Sequence, residues 1–478
     1  MQRKSFCSTL IAAMVACAFS AAANATDPAL QGKKVLFVTQ TQSKEKAADE
    51  QMRKLLESRG LAVTVADEAD PSSKVQGHDL VLISSSANAH VIGERYRKIQ
   101  VPVLTTQPGL LGDLAMTGPK ADADYGLFEK KDHYLYVVNA SHPLAGGLPA
   151  GTFVSSGKNV PMNWGRPSLA ANVTVTPPGY FDTPVLFGYE KGAAMAQGEV
   201  APARRASFFL GAAAFEKAQA TPATQALFDA ALRWSIGVDA QKPVGPIPRG
   251  KKLLLVVNKV SDHRKAEVRA AVEKSNADMA EHFKKLGFEV SVADMKDSPS
   301  AADGKDVVVI SSTVKANVLG GRYADVKVPI VSFENDVLDD MNMSAKRRGV
   351  DFGDVEDQHY VKLVNVPHPL AAGLPAGSVE LFKQGVGMGW GIPGAGATTI
   401  ATLHGAPDKA SIFAYEKGAT MDHEVLAPAR RVYLPIDYNA WGDLTGNGTK
   451  LVNAALAWSL GQADAQRATP NMAASNKP

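Results

Sequence analysis

The feature that most constrains this chain of 478 residues is that it repeats itself. Gly32-Lys33-Lys34 and the apolar run after it return as Gly250-Lys251-Lys252, 218 residues on. Asp79-Leu80-Val81-Leu82-Ile83-Ser84-Ser85 returns as Asp306-Val307-Val308-Val309-Ile310-Ser311-Ser312, 227 residues on. His142-Pro143-Leu144-Ala145, Tyr189-Glu190-Lys191-Gly192-Ala193 and Ala201-Pro202-Ala203-Arg204-Arg205 all recur 226 residues later, beginning at His368, Tyr415 and Ala427. So many blocks in one order mean two copies of a single unit. The growth of the offset puts a net insertion of nine residues in the second copy, near its first helix. The expected division is a signal peptide over 1–25, copies over 26–240 and 250–462, a Pro-rich linker over 241–249 and a disordered tail over 463–478.

Each copy opens with a continuous apolar run, as expected of a strand covered on both faces of a parallel sheet. Ala48, Met52, Leu55 and Leu56 then recur at helical spacing before Gly60, as do Val268, Val272, Met279, Phe283 and Leu286 before Gly287. Short β-rich runs follow, and a last helix carries Leu227, Ala231 and Trp234, or Leu451, Ala455 and Trp458. This alternation predicts an α/β fold: two tandem flavodoxin-like three-layer sandwiches with mainly parallel sheets and antiparallel additions. Ligands of such folds bind at the carboxyl ends of the strands. That directs attention to Ser84-Ser85-Ser86, Ser311-Ser312, Thr105-Thr106-Gln107 and Ser332-Phe333-Glu334-Asn335.

The N-terminus excludes one chemistry. Arg3 and Lys4 precede an apolar stretch too short for a permanent membrane span, and Ala23-Asn24-Ala25 is a small-residue cleavage pattern. The expectation is export to the periplasm or secretion, a lipoprotein being the lesser alternative, with no transmembrane segment after signal removal. Both cysteines, Cys7 and Cys17, fall inside this segment, so a mature chain starting near Thr26 has no thiol. Without Arg3 and Lys4 the net charge drops from +3 to about +1, which leaves no field for nucleic acid.

The strand with Ser-Ser, the Arg-Tyr helix (Glu94-Arg95-Tyr96, Gly321-Arg322-Tyr323), the Val-Pro-Val/Ile strand and the His-Pro-x-x-x-Gly-Leu stretches at His142 to Leu148 and His368 to Leu374 resemble the ThuA-like (trehalose-utilisation) branch of the class I glutamine amidotransferase-like superfamily. The resemblance covers nearly all of both copies and implies a flavodoxin-like core and a sugar-related context. The superfamily's amidotransferases use a Cys-His-Glu triad whose cysteine sits on a turn after a central strand. The corresponding stretches are Thr105-Thr106-Gln107-Pro108 and Ser332-Phe333-Glu334-Asn335, so glutamine hydrolysis through a thiolate is excluded. The acidic pair expected after the His-Pro motif is replaced by sequences around Trp164 and Trp390.

Several side chains shared by the copies remain as candidates, each with a structural alternative. His142 and His368 can act in catalysis or satisfy a turn before proline. Glu190 and Glu416 can be acids or bases, and Arg204 and Arg430 can fork onto hydroxyl-rich ligands, unless each Glu is ion-paired to an Arg of its own copy. Trp164 and Trp390 can stack on a sugar or cap a core. Ser85 and Ser312 complete the ligand-binding set. Glu334 is the one acid at an elbow, so any catalytic set is placed in copy two as Glu334, His368 and Glu416. No cofactor and no metal site is expected. Two readings stay open: a carbohydrate-associated binding or assembly module whose partner is a carbohydrate or an envelope protein, or a cysteine-independent enzyme acting on sugars or sugar derivatives.

Overall fold

The computed structural model describes residues 27–128, 133–157, 160–238, 245–259 and 265–461; the expected signal peptide and tail, and the first part of the linker, lie outside the described residues. The strands of copy one are, in chain order, β1 (Lys34–Thr39), β2 (Ala62–Asp67), β3 (Leu80–Ile83), β4 (Val103–Thr105), β5 (Tyr125–Phe128), β6 (Tyr134–Val137), β7 (Gly151–Val154), β8 (Met162–Gly165), β9 (Asn172–Thr176), β10 (Leu186–Tyr189) and β11 (Arg205–Ser207). Copy two repeats them as β12 (Lys252–Val257), β13 (Glu289–Asp294), β14 (Val307–Ile310), β15 (Ile330–Ser332), β16 (Phe352–Gln358), β17 (Tyr360–Leu363), β18 (Gly377–Glu380), β19 (Val386–Gly391), β20 (Thr398–Leu403), β21 (Ala406–Tyr415) and β22 (Arg431–Tyr433).

The two main sheets have the same order, β2-β1-β3-β4-β11-β10-β9-β6-β7 and β13-β12-β14-β15-β22-β21-β20-β17-β18. In each, the first five strands are parallel, in the 2-1-3-4-5 order of flavodoxin-like folds, and the remaining four extend the sheet antiparallel. β1 and β12 explain the continuous apolar runs, since every residue after the leading lysine is buried. β5 with β8, and β16 with β19, form arms.

Helices cover both faces. The long ones are α1 (Lys46–Ser58), α2 (Pro222–Ile236), α3 (Ala266–Lys285) and α4 (Gly446–Ser459). The final helix of each copy starts on a threonine cap: Thr221 Oγ1 accepts from the Thr224 N–H and Thr445 Oγ1 from the Gly448 N–H. The expected insertion sits where the offset placed it, α3 having 20 residues against the 13 of α1.

The copies meet through equivalent groups. The Ala194 N–H donates to the Val364 carbonyl at 2.8 Å, and the Thr420 N–H donates to the Val138 carbonyl at 2.7 Å. Thr420 is the counterpart of Ala194 and Val364 that of Val138, so the contact is reciprocal, like the self-complementary face of a twofold dimer made within one chain.

Candidate functional site

The carboxyl ends of the parallel strands differ between the copies. In copy two, Ser312 follows β14, Phe333-Glu334-Asn335 follow β15, and Tyr433 closes β22; with Pro435 and Asp437 they surround a cavity of about 170 Å³. The β16–β19 arm supplies its other wall through Asp354, Glu356, Gly387 and Gly389. The Tyr433 hydroxyl, on a residue with no exposed surface, and Ser312 Oγ are both buried without a hydrogen-bond partner. Buried hydroxyls are rarely left so, because each forgoes its water contacts.

Glu334 is the most perturbed acid here. Burial, reinforced by the charges of Asp336 and Asp437, pushes its carboxyl up to about 8, against the opposing pull of the Asp336 N–H and Arg348. Its Oε1 accepts from the Asp336 N–H at 2.9 Å. Burial also raises Asp437, which caps the following turn by accepting from the Asn439 N–H at 2.8 Å. Arg348 bridges Asp336 and Asp354 at 3.0 and 2.6 Å along the same region.

Copy one fills the place of Glu334 itself, although a larger cavity of about 930 Å³ opens beside it, lined by Pro108, Gly109, Tyr125, Phe128 and Met162 among others. Gln107, at the position of Glu334, donates from Nε2 to the Ser85 and Ala87 carbonyls at 3.0 and 2.6 Å, while its Oε1 accepts from the Gly109 N–H. Asn163 stands where copy two has Gly389, and its amide donates to the Thr106 and Phe208 carbonyls. With Gly389 there, the Tyr433 hydroxyl and the Asn335 side chain take up that volume instead, the hydroxyl lying 2.1 Å from where a Cβ would sit. Ser85 packs against Gly211, at the position of Asp437, so closely that a Cβ there would meet its Oγ at 2.2 Å. In this turn the Gln107 amide both donates and accepts, whereas the Glu334 carboxyl accepts from the Asp336 N–H and is raised by burial. Gln107 is extended, with φ −99°, and Glu334 is not among the residues of positive φ, so neither elbow has the strained turn of a nucleophile.

The other candidates assemble elsewhere. In copy two Arg430 Nε meets Glu416 Oε2 at 2.7 Å, the guanidinium lies 4.5 Å from the Trp458 ring centre, and His368 also packs on that indole, at 5.6 Å between ring centres. His368 Nδ1 accepts from the Leu370 N–H, and burial, with Arg430 nearby, pulls the imidazole down to about 3, so it stays neutral. Copy one repeats the knot with Arg204, Glu190 at 2.6 Å, Trp234 and His142, whose Nδ1 accepts from the Leu144 N–H. The arrangement ties the β10–β11 and β21–β22 connections to the last helix of each copy. Arg430 precedes β22, whereas Tyr433 ends it, so the strand separates His368 and Glu416 from Glu334. The expected trio of Glu334, His368 and Glu416 is therefore not brought together.

Trp164 and Trp390 are 8% and 3% exposed, packed on Phe128 and under Lys409 respectively, so neither offers a face for stacking. Sequence reasoning missed Tyr433, Asp437, Asp354 and Glu356. Their distance along the chain from Glu334 hides their convergence, and only the mismatch of Asn163 with Gly389 hinted at it. Among the described residues no group of three or more His, Cys, Asp or Glu is arranged to hold a metal ion, and no helix is long and apolar enough to cross a membrane.

Compared with known proteins, the chain matches no family profile and no curated sequence. Among solved structures, a ThuA-like protein of Bacteroides uniformis aligns at 15% identity and a TM-score of 0.29, over 46% of this chain and 94% of its own. A GMP synthase-like protein of Thermoplasma acidophilum aligns at 14% identity and a TM-score of 0.29, over 46% of this chain and 98% of its own.

Proposed function

We propose that this chain is an exported, ThuA-like tandem protein without glutamine amidotransferase activity, in which copy two binds a small hydroxylated ligand, a sugar or sugar derivative, and copy one is its scaffold. The observation that carries this reading is the copy-two cavity, with the Tyr433 and Ser312 hydroxyls buried around open space while the same place in copy one is filled by Gln107 and Asn163. A hydroxylated guest offers both donors and acceptors to such groups. The chemistry of the mature chain supports the negative part, since no thiol follows Cys17.

An enzymatic reading retains Glu334 as a proton donor at neutral pH, but His368 and Glu416 belong to the ion-paired knot and do not serve it. Binding is therefore the preferred reading. Thermal-shift measurements of the mature protein against mono- and oligosaccharides test it: stabilisation that disappears in Tyr433→Phe and Ser312→Ala supports the reading, and no stabilisation by any hydroxylated ligand defeats it. Export is tested by fractionation, with the recovered chain beginning near Thr26.

A further inference from the structure

The cavity in copy two is lined by four carboxyl groups, Glu334, Asp354, Glu356 and Asp437, and by no lysine, arginine or histidine. Arg348 compensates Asp354 and, just outside, Asp336. Among the described residues no basic side chain forms an ion pair with Glu334, Glu356 or Asp437. Glu334 and Asp437 are half-buried, with Asp354 and Glu356 exposed at the rim; grouping acids this way without a counter-charge on three of them is costly, and burial, which pushes the Glu334 carboxyl up, meets part of that cost. A cationic guest would remove the conflict, whereas an anionic one would sharpen it. The unpartnered Tyr433 and Ser312 hydroxyls call at the same time for a hydroxylated partner.

We propose that the ligand of copy two is a small hydroxylated amine, an amino sugar in its simplest form, whose ammonium sits among Glu334, Glu356 and Asp437 while its hydroxyls meet Tyr433 and Ser312. This rests on the reading of copy two as a sugar-binding unit and narrows it by charge. The groups facing Glu334 are Asp336 and Asp437, whose charges disfavour its ionisation, Arg348, which favours it, and the hydroxyl of Tyr433, itself pushed well above the usual phenol range by burial. An ammonium placed beside Glu334 favours the carboxylate, so at pH 7 binding expels the proton that the free site holds; a neutral sugar leaves it in place.

The test is titration calorimetry of the mature protein at pH 7 with glucosamine, glucose and glucuronate, repeated in buffers of different ionisation heat. Glucosamine is expected to bind at least tenfold more tightly than glucose, with a net release of protons once the uptake that completes its ammonium is subtracted, and glucuronate not to bind. Glu334→Gln is expected to abolish the proton release and to reduce the preference for glucosamine over glucose at least tenfold. Equal affinity for glucose and glucosamine, or binding of glucosamine without proton release, overturns the amine assignment and leaves the sugar-binding reading standing. Failure of all three sugars to bind overturns both.

Discussion

Replacing Glu334 with glutamine copies into the second unit the side chain that the first carries at Gln107, and it should stabilise the protein in a pH-dependent way. The unfolded carboxyl releases its proton near 4.5, whereas burial holds the folded one to about 8. Between those values the unfolded state lacks a proton that the folded state keeps, so the contribution of Glu334 to stability falls as pH rises, by about 1.4 kcal/mol per pH unit. Over the whole window the ceiling is roughly 5 kcal/mol, and because Glu334 is only half-buried, solvent screening lowers the expected loss to about 2–3 kcal/mol. Glutamine has no such transition. The melting temperature of Glu334→Gln minus that of the wild type should therefore be near zero at about pH 5 and rise to roughly 4–12 °C above pH 8, taking about 2–4 °C per kcal/mol for a domain of this size. Scanning calorimetry across that range reads the difference directly. Parallel curves for the two proteins would refute the buried, proton-holding carboxyl. A gain in stability from a change that weakens binding of an amine ligand would be the usual signature of a functional site.

The remaining predictions concern the scaffold. Arg431 has no exposed surface, donates to the carbonyls of Ala324, Val326, Val328, Ala429 and Arg430, and is lowered by burial to about 10; Arg431→Ala leaves those acceptors unmet and should cost roughly 3 kcal/mol or more, measured by denaturant unfolding. Arg430→Ala removes the cation paired with the Glu416 carboxylate and should cost about 3–5 kcal/mol, while replacing both by apolar residues of similar volume should recover most of the loss; equal losses in the single and double variants would contradict the paired knot. Glutaminase assays of the mature chain should register nothing, and thiol titration of the same sample should find no reactive group.

Much of the fold was legible because its signals are local and occur twice. Continuous apolar runs announced β1 and β12, and the growth in offset located the longer α3. The ion pair was readable as an alternative, but its membership was not. Arg430 and Arg431 are neighbours in sequence and, on an extended strand, point to opposite sides, one to Glu416 and one to backbone carbonyls. The tryptophans misled for a related reason: Trp164 and Trp390 lie in sequences rich in glycine and proline, yet the arms formed with β5 and β16 turn both rings inward. The cavity itself depends on groups about 100 residues apart, Glu334 beside Tyr433 and Asp437, joined by the β15–β22 pairing. No sequence periodicity encodes that pairing.

The most direct measurement of the central claim is the calorimetric stoichiometry of a bound hydroxylated ligand in the wild type, in Gly389→Ala and in Gln107→Ala. A Cβ at Gly389 would sit 2.1 Å from the Tyr433 hydroxyl and must displace it, whereas Gln107 only fills the place equivalent to Glu334 in copy one. The account predicts one ligand per chain, lost in Gly389→Ala and retained in Gln107→Ala. Two ligands per chain, or one that survives Gly389→Ala and disappears with Gln107→Ala, would contradict it.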